Sequence, residues 1–452
     1  MSNHADRHGS IVRHSVFWRE TEAVVPGPPL EGDVRADVCI VGGGYTGLWT
    51  AYFLKQAEPD LTIRVIEADY AGSGASGHND GFMTPTIGHS LHTVVRGWGN
   101  ERAKLAYTAA GRSIMEIRRF ALKHDIECDI EPNGFYLVAT TDGQRRRLEL
   151  DVSLAAGMGF SYDILDGASA RDRIGSAALR GALKTAGALV NPHKLARGLT
   201  RVVRTAGVQV HEGTRVLDIA RVSGGHMITM PHARLTADRL VLATNAFQHQ
   251  WRPFHNRVKP VWSYAAVTEP LRRDQLAQVH WPDREGFVEA RNFILFGRLT
   301  ADDRLLIGGG PAPYFYGRDM ADHHIVNSRI SDVLAETLRR YFPMWRDVRF
   351  THSYGGCIAV TRDLVPHVGQ LRDGTCYAYG YCGNGITMAH VAGKALRDLV
   401  LGRETPNTDL LFVRGKEPAY PPEPLTFLGA RALAAALAHQ DRHPSLLKRQ
   451  IL

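Results

Sequence analysis

A strand, a glycine-rich turn and a helix follow one another within residues 37–54, and this segment constrains the fold more than any other. The run 37–41, DVCIV, has the short apolar pattern of a strand that is buried on both faces. The turn GGGYTG occupies 42–47, and apolar residues at helical spacing continue to Leu54. A second apolar run, 62–66, leads into Glu67. The segment is therefore one βαβ unit, and its GxGxxG turn predicts a dinucleotide site.

The glycines of this turn have separate physical roles. Gly42 permits the tight turn, Gly44 lets the backbone approach a pyrophosphate, and Gly47 lets the helix pack closely on the strand. Glu67 lies 20 residues beyond Gly47, where its carboxylate accepts hydrogen bonds from the adenosine ribose and disfavours a 2′-phosphate. The pattern favours FAD or NAD over NADP. The alternative is a structural turn in an unrelated α/β protein.

Two further glycine-rich segments favour a flavin. GSGASGHNDG spans 72–81, soon after the second strand, and is too rich in small residues to be an ordinary strand. GNG at 383–385 precedes a predicted helix over 386–401 and offers another helix N-terminus. Three separate contacts rich in backbone groups suit a long flavin dinucleotide that is held from end to end, and they exceed what a readily exchanged NAD needs.

The remaining periodicity predicts two kinds of sheet. Strand patterns recur later in the chain, at 208–212, 214–219, 239–245 and 376–380. An inserted amphipathic helix is predicted over 101–125, with the apolar stripe Leu105, Ile114, Ile117 and Phe120. Residues 258–350 alternate as β-strands do and end in a helix near 330–341. The sequence thus predicts an α/β fold: a discontinuous Rossmann-like domain and a second domain of mixed, largely antiparallel sheet plus helices.

The chain of 452 residues exceeds the ~250–300 at which one hydrophobic core stops growing, which favours at least two domains. The predicted boundaries are an N-terminal arm over 1–35, packed on the surface; a nucleotide domain from 36–97, 187–257 and 351–403; a substrate domain from 98–186 and 258–350; and a C-terminal extension over 404–452. A short Ala/Leu helix near 425–438 in this extension is predicted to dock on the protein.

Composition excludes several classes of protein. Lys and Arg number 54 against 46 Asp and Glu, a net charge of +8, and the basic residues are too scattered for a nucleic-acid-binding stripe. The five cysteines form no CxxC pair, which indicates reduced thiols and neither a disulfide framework nor a zinc site. The N-terminal segment has no apolar stretch typical of a secretory signal, and no run of about 18 apolar residues occurs. We therefore expect a cytoplasmic protein without nucleic-acid or membrane partners.

Several motifs together resemble one family. The GxGxxG turn, the GASGxN loop, Asn191-Pro192 before a helix, Ala243-Thr244-Asn245, Tyr354-Gly355-Gly356 and the GYCGNG segment near 380–385 occur in one chain. They resemble the FAD-dependent oxidoreductases of the D-amino-acid oxidase superfamily, closest to the branch with glycine and sarcosine oxidases and gamma-glutamylputrescine oxidoreductase. The resemblance covers about 35–403. It implies a tightly held FAD, a separate substrate domain and oxidation of a C–N bond.

The same resemblance supplies the expected FAD contacts. Val216 would lie near the adenine and residues 383–387 beside the flavin. The full expected set is Gly42, Gly44, Tyr45, Thr46, Gly47, Glu67, Ala68, Gly74, Ala75, Ser76, His78, Asn79, Val216, Ala243, Thr244, Gly383, Asn384, Gly385, Ile386 and Thr387.

Two loop residues depart from the pattern. His78 stands where the putrescine-related branch usually has arginine, and in related dimethylglycine dehydrogenases a histidine at the equivalent position bonds covalently to the flavin. We expect a non-covalent contact here, with a covalent link through His78 as the alternative. Asp80 stands where the family often has glycine. It is either a solvated loop charge or a group that faces a cationic substrate.

Flavin-dependent amine oxidation asks for a neutral amine in an apolar pocket, with its C–H over flavin N5. No Ser-His-Asp triad or paired carboxylates are recognisable, and such groups are not needed. Candidate catalytic residues are His78, Tyr264, Tyr354 and Lys259, the last as a promoter of oxygen reduction. Tyr314 and Tyr316 could add to an aromatic wall with the other tyrosines.

Other charged residues fit the surface better. Arg291 and Arg298 flank a predicted strand over 293–296 and would lie on opposite faces, so at most one could hold a substrate carboxylate. We expect both to be solvated. The pair His323-His324 lacks helical metal-ligand spacing and is also expected at the surface, and no metal is predicted.

We expect an FAD-dependent oxidase of a primary or secondary amine or amino acid, with a slight preference for an amino acid. Hydride transfer to flavin N5 would give an imine, which water hydrolyses, and oxygen would reoxidise the flavin. One alternative is a dehydrogenase that passes electrons to a carrier. The other is a non-catalytic or tRNA-modification flavoprotein subunit, which the scattered basic residues disfavour. The sequence predicts no oligomeric state.

Overall fold

The computed structural model describes residues 3–5, 11–88 and 90–443. The α-helices in these ranges are α1 (Tyr45–Ala57), α2 (Ala75–His78), α3 (Leu91–Trp98), α4 (Asn100–Lys123), α5 (Asp142–Gly157), α6 (Gly167–Ile174), α7 (Pro192–Thr205), α8 (Arg273–Leu276), α9 (Ser328–Tyr341), α10 (Gly385–Val400) and α11 (Leu425–Arg442). The predicted helices near 101–125, 330–341, 386–401 and 425–438 are thus confirmed within a few residues.

The strands in the same ranges are β1 (Asn3–Ala5), β2 (Ile11–Arg13), β3 (Gly32–Val41), β4 (Ile63–Ile66), β5 (Phe82–Met83), β6 (Phe135–Ala139), β7 (Asp163–Asp166), β8 (Gly181–Thr185), β9 (Ala188–Leu189), β10 (Gln209–His211), β11 (Asp218–Val222), β12 (Gly225–Met230), β13 (Ala233–Leu242), β14 (Val258–Thr268), β15 (Gly286–Glu289), β16 (Leu295–Leu299), β17 (Leu305–Gly309), β18 (Phe350–Thr361), β19 (His367–Gln370) and β20 (Cys376–Tyr379).

The nucleotide domain is built on a parallel sheet, as the sequence predicts. Strands β10, β4, β3, β13 and β20 lie side by side and pair in parallel, although they come from distant parts of the chain. Apolar residues of α1, α7 and α10 pack in one core with this sheet. Because α1 and α10 both begin at the carboxyl edge of the sheet, their N-termini face the region where such folds bind nucleotides.

The second sheet has ten strands in the order β1-β2-β18-β14-β17-β16-β15-β6-β8-β7. Most neighbours are antiparallel, and among the strand pairs formed by the described residues only β15–β6 and β18–β2 are parallel. The predicted mixed, largely antiparallel sheet is therefore confirmed. Helix α9 covers one face at Trp262 and Tyr264 through Ile330 and Leu334. The opposite face is turned toward the nucleotide domain.

The structure corrects the start of one predicted strand and the position of one residue on a predicted helix. The strand expected over 214–219 begins only at Asp218, because the Thr214 N–H instead donates to the Glu67 carbonyl and holds 214–217 beside the end of β4. Leu105 does not belong to the buried stripe of α4 and is 56% exposed. It precedes Ile114 by nine residues, which at about 100° per residue places it on the opposite side of the helix.

Helix α4 packs in the same core as α1 and α10, although its residues fall in the segment assigned to the substrate domain. The predicted domain boundaries stay a proposal.

The N-terminal arm is not a surface appendage. A single 3-10 turn, Phe17–Glu20, buries Phe17 and Trp18 against the inward side of the second sheet. The following segment runs along α7, where Asn191 donates to Thr21 Oγ1 at 3.0 Å. The part of the arm around residues 16–22 therefore lies between the two sheets, close to the glycine-rich loop, whereas β1, β2 and the start of β3 pair within the sheets.

Glu212 fastens the arm, the loop and α7 to one another. Its buried carboxylate accepts hydrogen bonds from the Gly27 and Ala71 N–H groups and ion pairs with Arg197 at 3.1 Å and Arg204 at 2.9 Å. These donors outweigh the cost of burial and lower the pKa of Glu212. Through Glu212, the loop that begins at Ala71 is thus held to the arm and to α7.

All five cysteines are free thiols, as expected. Among the described residues, no helix combines the length and the apolar character that crossing a bilayer requires. A cytoplasmic location stays a prediction.

Candidate cofactor and substrate site

The glycine-rich turn between β3 and α1 has the geometry that the motif predicts. Gly42 has φ +108, and a Cβ there would lie 2.6 Å from the Ala243 carbonyl oxygen. A Cβ on Gly47 would lie 2.0 Å from the Gly42 carbonyl oxygen, so only glycine allows α1 to approach the strand. Tyr45 and Thr46 turn their side chains into the core, so neither offers a side chain to a ligand.

The acidic end of β4 lies against this turn. Glu67 accepts hydrogen bonds from the Gly43 N–H at 2.7 Å and from the Asp69 N–H at 3.0 Å. A carboxylate has about four acceptor positions, so capacity remains for ribose hydroxyls. Ala68 is exposed beside Glu67, and Val216 lies two residues beyond Thr214, which is bonded to Glu67. The three residues expected at the adenosine end are thus brought together.

The GASG loop forms a single helical turn, α2, opposite the start of α1. Ser76 Oγ accepts the Tyr45 N–H at 2.9 Å, and a Cβ on Gly44 would lie 2.9 Å from the same oxygen. Ser76 and the first turn of α1 therefore face one position, which suits a pyrophosphate. Gly74 and Ala75 are exposed at the start of the turn. Asn79 has a structural role, since its amide donates to the Ala75 and Ser76 carbonyls.

The third glycine-rich segment begins α10. Gly383 has φ +95, and Asn384 Oδ1 accepts hydrogen bonds from Thr84 and Thr86. Thr387 Oγ1 is buried without a hydrogen-bond partner. Gly385, Ile386 and Thr387 also carry N–H groups of the first helical turn, which have no partner within the helix.

These segments fit the expected flavin dinucleotide. The Thr387 hydroxyl, which has no hydrogen-bond partner among the described residues, indicates a polar ligand along this line. Ala243 and Thr244 border the turn from the end of β13, but Thr244 Oγ1 already bonds with Gln248 at 2.7 Å and Trp251 at 3.2 Å.

His78, at the end of α2, is held by the N-terminal arm. Arg19 Nε donates to His78 Nε2 at 3.1 Å, which makes Nε2 an acceptor and places the imidazole proton on Nδ1. Burial, with the charges of Arg19 and His193, lowers the pKa of His78 to about 3. His78 is thus a neutral imidazole with one nitrogen already engaged.

Strands β14 and β18 present one face to this loop. We call it the inward face; it consists of Lys259, Val261, Ser263 and Ala265, paired with Val360, Ile358, Gly356 and Tyr354. A Cβ on Gly356 would lie 4.0 Å from His78 Cβ, so the middle of the inward face is opposite the loop. Val261, Ser263, Gly356, Ile358 and Val360 are partly exposed. Space therefore remains between this face and the nucleotide domain, and its floor is mostly apolar.

Arg298 and Asp80 close one end of this space. Arg298 is 1% exposed and donates to the carbonyls of Val190 at 2.8 Å and Gly81 at 3.2 Å. Its guanidinium lies 5.5 Å from the Trp18 ring centre. The expectation that Arg298 is solvated is wrong, because these carbonyls and the ring replace its water.

Asp80 is not a solvated loop charge either. Its Oδ1 is buried without a hydrogen-bond partner. Burial raises the pKa of Asp80 to about 7 against the opposing charge of Arg298. Tyr354 is buried beside this pair and beside Trp18.

Several other candidates lie elsewhere. Tyr264 is on the opposite face of the sheet and donates to the His324 carbonyl at 2.8 Å. Tyr316 is 59% exposed. Arg291 lies outside β16 and is not free in solvent, since it pairs with Asp441 of α11 at 3.3 Å.

The surface prediction for His323 and His324 holds only for His323, because His324 stacks on Phe315 and bonds Asp319 Oδ2 at 2.9 Å. Asp319, His323 and His324 have ligand atoms within 4.8 Å of one another. They lie on the Tyr264 side of the sheet, outside the site.

The sequence analysis does not predict that the arm is buried, and it wrongly expects the Arg298 side chain to be solvated. The signal for the arm was Phe17-Trp18, two adjacent large aromatic residues in a polar segment. The signal for Arg298 was a charge in the middle of the apolar run 295–299, which is unusual unless the charge is paired.

Comparison with known proteins agrees with this geometry. A family model described as FAD dependent oxidoreductase matches residues 37–399. Gamma-glutamylputrescine oxidoreductase of Escherichia coli (strain K12) is 30% identical over 394 residues, which are 86% of this chain and 89% of that protein.

Two solved structures share the fold. Glycine oxidase from Geobacillus kaustophilus superposes with a TM-score of 0.69 at 22% identity, over 82% of this chain and 96% of that chain. L-alpha-glycerophosphate oxidase from Mycoplasma pneumoniae, a structure with FAD bound, superposes with a TM-score of 0.67 at 15% identity, over 85% and 100% of the two chains.

Proposed function

The chain belongs to the family of FAD-dependent oxidoreductases, and on this premise we propose that it oxidises a C–N bond of a primary or secondary amine or amino acid, with oxygen as the final acceptor. The observation that carries the proposal is the apolar, partly exposed inward face opposite His78. An amine enclosed there loses water, which favours its neutral form.

The reaction removes two electrons from the substrate. FAD held by the three glycine-rich segments would supply the two-electron acceptor for a hydride from the carbon beside the nitrogen. The nitrogen loses a proton as the C=N bond forms, and water then converts the imine to a carbonyl compound and ammonia or a smaller amine. Oxygen accepts the two electrons with two protons and becomes hydrogen peroxide.

The described residues contribute position and environment. Val261, Ile358 and Val360 form an apolar floor that excludes water from the bound substrate. His78 is neutral, so it does not repel an ammonium ion during entry. Asp80 provides a partly buried carboxyl group that can attract such a cation when ionised. No residue needs to form a bond with the substrate.

The slight preference for an amino acid loses its original basis. It rested on arginines that could hold a carboxylate, but Arg298 is engaged by backbone carbonyls and Arg291 by Asp441. Arg291 is held at α11, and Arg298 already donates from Nε and Nη1 to backbone carbonyls, so neither residue offers a free bidentate fork on the inward face.

We predict that the rate of anaerobic flavin reduction rises with pH. Only the neutral amine reacts, and the free amine has a pKa of ~10.4. Desolvation lowers the pKa of the bound amine, so the rate should rise through an apparent pKa below that value. Stopped-flow absorbance from pH 6 to pH 10 measures it. Mixing the reduced protein with air-saturated buffer then tests oxygen as acceptor, and slow reoxidation would favour an electron carrier. A rate of flavin reduction that falls with pH contradicts the proposed step.

We also predict that FAD is released by acid. The His78 Nε2 lone pair accepts a hydrogen bond from Arg19 Nε, so it is not free to attack the flavin ring. Precipitation with trichloroacetic acid should leave the flavin in the supernatant. Flavin that stays with the protein and disappears in His78→Ala would show a covalent link.

A further inference from the structure

Lys259 lies at the end of the inward face away from Arg298. Its side chain is 3% exposed, and Nζ makes no hydrogen bond with any residue that the structure describes. The nearest carboxylate oxygen, on Glu423, is 3.9 Å away. A buried ammonium with three unused donors is costly, and such a group is seldom kept unless something pairs with it.

Glu423 forms only a long ion pair with Lys259 and accepts no hydrogen bond from it. One of its carboxylate oxygens accepts the Tyr314 hydroxyl, and the other accepts the Phe427 N–H at 3.1 Å. Both oxygens therefore already accept hydrogen bonds from other donors. The Tyr314 and Tyr420 rings flank the ammonium, with centres 5.8 Å and 5.5 Å from Nζ. The two rings enclose the Lys259 ammonium but do not form hydrogen bonds with it.

The position of Lys259 relates it to the substrate space. Lys259 and Ser263 lie on the same face of β14, four residues apart, which at about 3.4 Å per residue is ~14 Å. Ser263 pairs with Gly356, opposite His78, and the partly exposed Val261, Ile358 and Val360 lie between the two ends. An extended ligand along this floor would reach the ammonium with the end that does not react.

We propose that Lys259 is an anion subsite, which binds a carboxylate carried by the substrate several bonds from the reacting C–N bond. The inference rests on the proposed function for the reacting end. It supplies a cation that neither Arg291 nor Arg298 can offer, and it assigns to the segment around Tyr420 and Glu423 the role of walling this end of the site.

Straight-chain carboxylates from butanoate to octanoate test the subsite without turnover, because they have no amine to oxidise. Their binding to the oxidised holoprotein is measured by the change in flavin absorption and by calorimetry. We expect the wild type to prefer one chain length, and to bind that acid at least tenfold more tightly than its primary amide.

Lys259→Met should weaken the best carboxylate about 10- to 100-fold, the typical worth of a hydrogen-bonded buried charge, and leave the amide unchanged. Lys259→Arg should retain most of the affinity. Lys416→Met, an exposed lysine in the same C-terminal segment, is the matched control and should behave as the wild type. If the Lys259→Met protein does not fold, Lys259→Gln is measured in its place.

The affinity should also depend on pH. Burial and the charge of Arg318 lower the pKa of Lys259 to about 8 against the opposing charge of Glu423. The other titratable groups that face it are Tyr314, Tyr420 and His249. The ammonium is present below pH 8, so carboxylate affinity should fall as pH rises through that value. Lys259→Met should abolish this dependence.

Three results overturn the subsite: wild-type protein that does not prefer a carboxylate to its amide, Lys259→Met that weakens both ligands equally, or Lys259→Met that weakens neither. An equal loss would mean that Lys259 only holds the C-terminal segment. If the selective loss occurs but no amine reduces the flavin, the subsite stands and the proposed function fails.

Discussion

Gly44→Val should yield a colourless protein that binds no FAD. A Cβ at this position would lie 2.9 Å from Ser76 Oγ, and the two branches of valine would fill the gap between α1 and α2. We propose that the N-terminus of α1 and Ser76 face a pyrophosphate beside this contact. We expect affinity for FAD to fall at least about 100-fold, since several hydrogen bonds to a charged group are lost together.

The flavin content of purified protein, by absorbance and extraction, measures the effect. Gly429→Val is the control, because that glycine lies in α11 with open space at its Cβ position. Circular dichroism checks that the backbone folds, and the Tm should be lower since FAD no longer stabilises the folded state. A yellow Gly44→Val protein with one FAD per chain would contradict the assignment of this turn.

Arg298→Met should destabilise the protein by about 3–5 kcal/mol, the range seen when one partner of a buried charge network is removed. The carbonyls of Gly81 and Val190 would lose their donor. Asp80 and Glu131 would lose the buried cation that favours their ionised forms. Burial lowers the pKa of Arg298 only to about 10, so the cation is present at neutral pH.

Urea unfolding of the holoprotein measures the change in free energy. Arg346→Met is the control, since its side chain is 74% exposed and such substitutions usually change stability by less than about 0.5 kcal/mol. Loss of the guanidinium from the Trp18 ring should also loosen the arm and speed trypsin cleavage within it. Equal stability of Arg298→Met and wild type would mean that this contact network contributes little.

The sequence predicts those parts of the molecule that depend on local pattern. The βαβ unit, the helices α4, α9 and α10, and the two kinds of sheet follow from periodicity, glycines and β-branched runs. Strand β13 could be paired with β3 only by analogy with known topology, because the segments are some 200 residues apart.

What the sequence did not predict depends on contacts between distant segments. The burial of Arg298 requires the carbonyls of Gly81 and Val190, which come from other parts of the chain. Phe17 and Trp18 show no periodicity, so their insertion between the sheets has no local signature. The sequence does not show that Tyr264 and Tyr354 lie on opposite faces of the sheet. That result depends on the register of β14 on β18, which determines the face that each side chain occupies.

The fold alone does not decide which bond is oxidised, since one structural relative is an L-alpha-glycerophosphate oxidase. Anaerobic titration of the flavin band decides it, with primary and secondary amines and amino acids set against alcohols and 2-hydroxy acids of matched length. Oxidation of a C–N bond predicts that an amine bleaches the flavin with one substrate consumed per FAD, and that a carbonyl product appears together with ammonia or a smaller amine. Bleaching by an alcohol or a 2-hydroxy acid while every amine leaves the band unchanged would contradict it.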